Sequence, residues 1–310
     1  MRNITSAIKI RETKKGDFFI LAQSAIWAIF PVVAILSYAS LPPLISLGFS
    51  TLIAAVFFAS ILTYRRIWKE VWNFEAVKYL FFVALFNGLL YHSFFYLALK
   101  YTSAGNASIV GMTEIFFSYM LFNVWKKELF SWRHATGSAL MIVGALIVLL
   151  PKSGGWNAGD LLVLAAAISS PFGNYFMKKA RGLVKSEVVM FIRSTLAVPM
   201  IFFVSWAFSE KYSLHQLGDS WFFLIINGLL VLGFSKLLWV EGIHRISVTK
   251  ANALSSVAPL LTLLFAFLIL GQQPVVWQFL SFLPLCAGLI FLTSKDQDGL
   301  LREQPEFVNP

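Results

Sequence analysis

The feature that most restricts this chain is a series of apolar runs, each about twenty residues long, recurring from Phe18 to about residue 294. A helix that crosses ~30 Å of hydrocarbon needs about 20 mostly apolar residues, because lipid offers the backbone no hydrogen-bond partners and a helix supplies them internally. Charged residues make up 13% of the sequence and cluster between the runs, whereas a soluble domain carries about 25% spread over a hydrated surface. Porin-like strands would show shorter segments of alternating polarity. The runs leave no length for a separate soluble domain. The first run follows a basic stretch but outlasts a signal peptide and ends in no small-residue cleavage site, so it reads as a span. The expected fold is an all-α membrane protein with spans near 17–38, 43–63, 78–99, 104–125, 134–151, 159–178, 187–208, 221–241, 251–270 and 275–294.

Basic residues orient this map, since Lys- and Arg-rich loops stay in the cytoplasm. The two terminal stretches and every second connection carry twenty Lys and Arg, among them Arg65, Arg66 and Lys69, then Lys178, Lys179, Arg181 and Lys185. The alternate connections carry three: Lys100, Lys152 and Lys211. Both termini are therefore expected on the cytoplasmic side of a plasma membrane. The net charge of +10 belongs to these loops, and no nucleic-acid partner is expected. The single cysteine, Cys286, excludes an intrachain disulfide and a multi-cysteine metal site. No cofactor or metal is expected.

The sequence also repeats itself. "GDFFILA" from Gly16 matches "GDLLVLA" from Gly159 at an offset of 143, and "STLIAAVFF" from Ser50 resembles "STLAVPMIFF" from Ser194. An offset of 144 then aligns Phe95 with Trp239, Ser103 with Ser247, Ala107 with Ala251, Glu128 with Gln272 and Gly144 with Gly288. Five spans is an odd number, so the second copy enters the membrane from the opposite side. Such inverted repeats underlie many secondary transporters.

"YLALKYTSAGNASIVGMTEIFFSYM" (96–120) with "KKELFSWRHATGSALMIVGALIVLL" (126–150), and more loosely "ISVTKANALSSVAPLLTLLFAFLILGQQ" (246–273), resemble the EamA domain of the drug/metabolite transporter superfamily. The resemblance covers about residues 17–294. It implies a five-helix repeat over 17–151 and another over 159–294, between polar cytoplasmic tails at 1–16 and 295–310. It further implies a central cavity lined mainly by the first four helices of each half, and export of amino acids or other small metabolites. Three positions depart from the family pattern. Ile115 stands where Pro is common, as Pro259 keeps it; Gln272 where Glu is common, as Glu128 keeps it; and Ser50 near a position of Arg, which Arg193 supplies.

A charge in hydrocarbon costs roughly 2.5–3.5 kcal/mol or more, so intramembrane charges mark cavities or partners. Glu114 lies about ten residues from either end of its span, ~15 Å at 1.5 Å per residue. It is the candidate for binding a substrate amine, for carrying a coupling proton, or for pairing with a cation. Lys236 and Arg193 lie nearer the cytoplasmic ends, where long side chains can also snorkel; Arg193 is placed to reach either Glu114 or a substrate carboxylate. The offset of 144 sets Lys236 opposite His92, which suggests two ends of one pathway that do not touch. His92 by itself reads first as a neutral packing residue. Asn87 and Tyr91, four apart on one helix face, with Asn174, Trp27 and Trp239, complete the candidate substrate-binding set. Pro31, Pro171 and Pro259 can permit bends, and the small residues of "GSALMIVG" (137–144) suit close helix contact within the fold or in a homodimer.

These residues point to a secondary transporter that exports a small polar metabolite, an amino acid first, by alternating access between the bilayer's two sides. Drug or organic-anion efflux is the alternative within that class. A membrane-embedded enzyme would want HExxH, GxSxG or paired intramembrane aspartates, none of which occurs. A sensor or assembly partner without flux is the remaining alternative. No ATP-binding loop is present, so a gradient must supply the energy.

Overall fold

The computed structural model describes residues 2–38, 40–121, 132–149 and 157–293, with side chains of 2–10, 132–135, 149, 249 and 292–293 left aside. Glu128, the end of the fourth expected span and the tail at 295–310 lie outside the described residues. Within them the chain forms ten long helices, a short 3-10 helix at Trp68–Trp72 and no strand. These are α1 (Arg2–Trp27, continued by Phe30–Ser37), α2 (Pro43–Arg65), α3 (Phe74–Ala98) and α4 (Ala104–Gly111, continued by Glu114–Tyr119). They continue with α5 (Trp132–Leu149), α6 (Ala158–Leu183), α7 (Ser186–Ala207) and α8 (Leu214–Arg245). The last are α9 (Val248–Ser255, continued by Ala258–Leu270) and α10 (Val276–Thr293). Six of them, α1, α2, α3, α7, α8 and α9, are long and apolar enough to cross a membrane. The stretch expected as an amino-terminal tail is helical from Arg2 and runs unbroken into the first span.

The repeat is visible in local chemistry. Ser103 caps α4 by accepting from the backbone N–H of Asn106, and its partner Ser247 caps α9 by accepting from Lys250. These bonds satisfy helix-end donors that would otherwise be orphaned in an apolar setting. Both α4 and α9 break near the middle, at Met112–Thr113 and at Ser256–Val257. Pro259 explains the second break, since it lacks an N–H. The first occurs with Ile115 in the same place, through tighter turns such as Thr113 N–H to Val110 O at 3.0 Å. Pro31 likewise follows the break in α1, whereas Pro171 sits inside α6 without interrupting it. The third helix of each half contains a π-helical stretch, Ala84–Leu90 in α3 and Ile226–Ser235 in α8. Each holds the same Asn-Gly-Leu-Leu (87–90 and 227–230).

Glycines set the closest approaches. A Cβ on Gly288 of α10 would lie 2.7 Å from the Gly137 carbonyl of α5, so the small-residue stripe of α5 serves contact within the fold. The two halves also meet through ion pairs on the face that carries the basic loops: Lys250–Asp17 (2.6 Å), Lys185–Glu70 (2.5 Å), Arg245–Glu12 (3.1 Å) and Arg65–Glu187. On the opposite face the described links between halves are hydrogen bonds without an ion pair. Thr102 donates to Asp160, Asn157 to the Tyr101 carbonyl (2.6 Å), and the Ile45 N–H to Glu210 (3.2 Å).

Candidate functional site: a polar cavity between the two halves

A cavity of about 110 Å³ lies where α1, α3 and α4 of the first half meet α6, α7, α8 and α9 of the second. All nine residues expected at the site, Glu114, Lys236, Arg193, His92, Tyr91, Asn87, Asn174, Trp27 and Trp239, line it. The helical periodicities that converge here were legible one at a time; their meeting was not.

Asn174 on α6 is the hub. Its Oδ1 accepts from Asn87 Nδ2 (3.1 Å) and Trp239 Nε1 (3.0 Å), and its Nδ2 donates to Glu114 (2.9 Å) and Ser170 (3.2 Å). Two bonds accepted and two donated engage both ends of a side-chain amide, which fixes its orientation. Glu114 begins the second segment of α4 just past the break, so the break aims it at α6.

Arg193 on α7 is 1% exposed. Its Nη2 donates to the Asn87 carbonyl at 3.0 Å, and that carbonyl also receives His92 Nδ1. A carbonyl only accepts, so His92 carries its proton on Nδ1, and Arg193 Nη2 lies against the ring, 3.1 Å from Nδ1 and 3.4 Å from Nε2. The packing role expected of His92 held only for a histidine turned away from the cavity, and His92 lines it. Arg193 forms no ion pair with Glu114; it binds the turn that holds Asn87 instead. Gly88 permits that approach, for a Cβ there would meet Ala197 of α7 at 2.7 Å.

Lys236 corrects a second expectation. Its Nζ lies 3.3 Å above the Trp27 ring and 5.7 Å from that of Tyr91, while the same Trp27 ring meets His92 edge-on at 6.2 Å. Lys236 and His92 therefore share one wall and do not stand at two ends of a pathway. The π-helical stretches shift the helix register just before both residues, which a fixed offset cannot show. A cation over an indole face is attracted by the ring quadrupole, by about 2 kcal/mol when desolvated. Snorkelling to a membrane surface does not describe this side chain.

Sequence reasoning passed over Gln23, Ser170, Asn252, Ser255 and Ser256, which also line the cavity. Two carried a usable signal: Gln23 precedes Trp27 by one helical turn, and Ser170 precedes Asn174 by one. Asn252 donates to Ser118 at 2.8 Å and Ser255 accepts from Ser24 at 3.0 Å, so both tie α9 to the first half.

A cavity walled by both inverted five-helix repeats is the architecture of a multi-pass membrane transporter. The model of the EamA-like transporter family matches residues 14–150 and again 157–294. The chain belongs to that family. It is 24% identical over 291 residues to "Uncharacterized transporter YoaV" of Bacillus subtilis (strain 168), covering 88% of this chain and 95% of the relative. It is 28% identical over 198 residues to "Probable amino-acid metabolite efflux pump" of Escherichia coli (strain K12), covering 60% of this chain and 66% of that one. A solved crystal structure has the same fold, with a TM-score of 0.68 over 91% of this chain and 96% of its own, at 19% identity. Family and relatives point to a transporter and away from an enzyme.

Proposed function

We propose that this protein is a secondary exporter of a small polar metabolite of the amino-acid kind, working by alternating access around the Glu114–Asn174–Lys236 cavity. The observation that carries this reading is the position of that cavity. Its wall draws on both inverted repeats, so rocking one repeat against the other exposes the same groups to each side in turn. Glu114 offers a carboxylate for an ammonium group, and Lys236 a cation for a carboxylate. The E. coli relative named as an amino-acid metabolite efflux pump supports the cargo class. Both termini lie in the cytoplasm of a plasma membrane in this reading, in accord with the basic loops on their face, and the cavity is loaded from that side.

The test is flux. Proteoliposomes loaded with a panel of labelled amino acids and related small metabolites should release at least one of them faster than empty-membrane controls. Glu114→Gln should slow that release at least tenfold, a loss of ~1.4 kcal/mol of stabilisation. No release of any panel member above control would sink the proposal.

A further inference from the structure

Counted in their ordinary protonation states, the charges in the cavity do not balance. Its wall holds two basic side chains, Arg193 and Lys236, against one acidic side chain, Glu114. His92 adds no charge in the hydrogen-bonded form described above. Among the described residues neither Arg193 nor Lys236 forms an ion pair. Lys236 is compensated in part by the Trp27 face. Arg193 is compensated least: Nη2 meets neutral acceptors, and Nε and Nη1 are buried with no hydrogen-bond partner. A guanidinium stays charged in proteins, and an uncompensated charge out of water is costly. The first half does not supply the balance, since Ser50 stands at the position related to Arg193.

We propose that the cavity takes a small organic anion carrying a net single negative charge, whose carboxylate is received by Arg193. This rests on the reading of the cavity as the transport site and moves its preferred cargo from zwitterions to anions, with Arg193 rather than Lys236 as the carboxylate's partner. Arg193 lines the cavity, and a carboxylate entering beside it would give the buried, unpartnered donors charge-assisted bonds once the guanidinium turns toward it, the strongest pairing open to them. It also brings the cavity to neutrality, which a zwitterion or a cation does not. A small cargo suits the cavity, whose volume is about 110 Å³. Small monocarboxylates, and acidic amino acids whose ammonium group meets Glu114, satisfy the same count.

Lactate, alanine and alaninamide are nearly isosteric and differ in charge as anion, zwitterion and cation at neutral pH. Each is added to the full-length protein in detergent in a chloride-free buffer, and thermal unfolding is followed. Lactate should raise the melting temperature most, alanine less and alaninamide least. In titrations, Arg193→Gln should weaken lactate binding at least tenfold, and Arg193→Lys should recover part of it. The unliganded melting temperature of each variant reports folding separately. Absence of a lactate shift, an equal shift by all three, or an unchanged lactate affinity in Arg193→Gln overturns the assignment. Lactate binding without flux in proteoliposomes would leave the anion site standing and remove the transport reading. Amino-acid flux without a lactate shift would do the reverse.

Discussion

On the α6–α7 side of the cavity the protein presents an amide and a guanidinium, Asn174 and Arg193. The offset of 143 that aligns Gly159 with Gly16 assigns to the same positions of α1 and α2 the residues Pro31 and Ser50, and to Ser170 the residue Trp27. One plan thus yields an amide, a hydroxyl and a guanidinium at these positions in one half, and a proline, an indole and a hydroxyl in the other. The π-helical asparagines show the same division. Asn87 lies beside Arg193, whose guanidinium binds its carbonyl, whereas Asn227 donates to Ser50 and to the Tyr96 hydroxyl, all three fully buried. The second arrangement is a neutral packing contact; the first holds a charge with donors to spare. An inverted repeat therefore fixes where groups stand, and each half remains free to choose what they are.

The largest test of this contrast is Asn174→Leu, which strips partners from Asn87, Trp239 and Glu114 together. At roughly 1–3 kcal/mol for each buried group left unsatisfied, the loss should reach about 3 kcal/mol or more, seen as a large fall in melting temperature. Pro31→Ala, at the related position, removes no hydrogen bond and should cost far less. Equal losses would mean that the two walls are energetically alike.

The helix starts provide a second contrast. A Cβ on Gly159 would stand 2.6 Å from the Ala98 carbonyl and 2.8 Å from the Thr102 nitrogen, whereas one on Gly16 would first meet the Ile246 side chain at 2.9 Å. Backbone cannot step aside as a side chain can. Gly159→Ala should destabilise by about 1–3 kcal/mol, and Gly16→Ala by less; the reverse order in chemical or thermal unfolding would contradict the packing described.

The paired aspartates that follow these glycines come next. Asp160 is 4% exposed and leans on the Thr102 hydroxyl, while Asp17 pairs with Lys250 where both side chains are partly in solvent. Thr102→Val should cost about 1–3 kcal/mol with little dependence on salt. Lys250→Gln should cost under about 1 kcal/mol, an effect that high salt erases. A salt-insensitive loss in Lys250→Gln would show that more than an exposed ion pair joins the halves there.

The smallest effect concerns pH. Burial raises the Glu70 carboxyl, but hydrogen bonds from Lys185 Nζ and N–H, with the lysine charge, outweigh it and hold the group below its ordinary value. A carboxyl lowered in the folded state stabilises the protein above its unfolded value, about 4.3. That contribution is lost as pH falls through the folded value. Solvent screening keeps it under about 1 kcal/mol. Melting temperatures of the parent and Glu70→Gln should differ slightly at neutral pH and converge in acid; divergence in acid would reverse the sign.

Particular residues show how much could be read in advance. Glu114 was conspicuous because a carboxylate in mid-span has no innocent reason to be there, and its location in the cavity follows the same logic. Ser103 and Ser247 stood out in the sequence only as an aligned pair of the repeat; that each caps a helix came from the structure. The break at Met112–Thr113 gave no such notice, since Ile115 does not demand it, and it is this break that aims Glu114. The pairing of Arg193 with the Asn87 carbonyl was equally hidden, because a backbone acceptor leaves no mark in the residue pattern.

By itself, the sequence of this protein determined the number of helices, their inverted duplication and which few polar groups must find a home inside. Hydropathy and charge act on each segment separately, so they can be summed along the chain. Only the tertiary structure decided that His92 and Lys236 meet across Trp27, and that Arg193 turns from Glu114 to a carbonyl and keeps two buried donors without a partner. Those outcomes depend on helix rotation and on the π-helical register shifts, which move a side chain around its axis by a large fraction of a turn. No property of a segment taken alone sets such an angle; packing against the other half does.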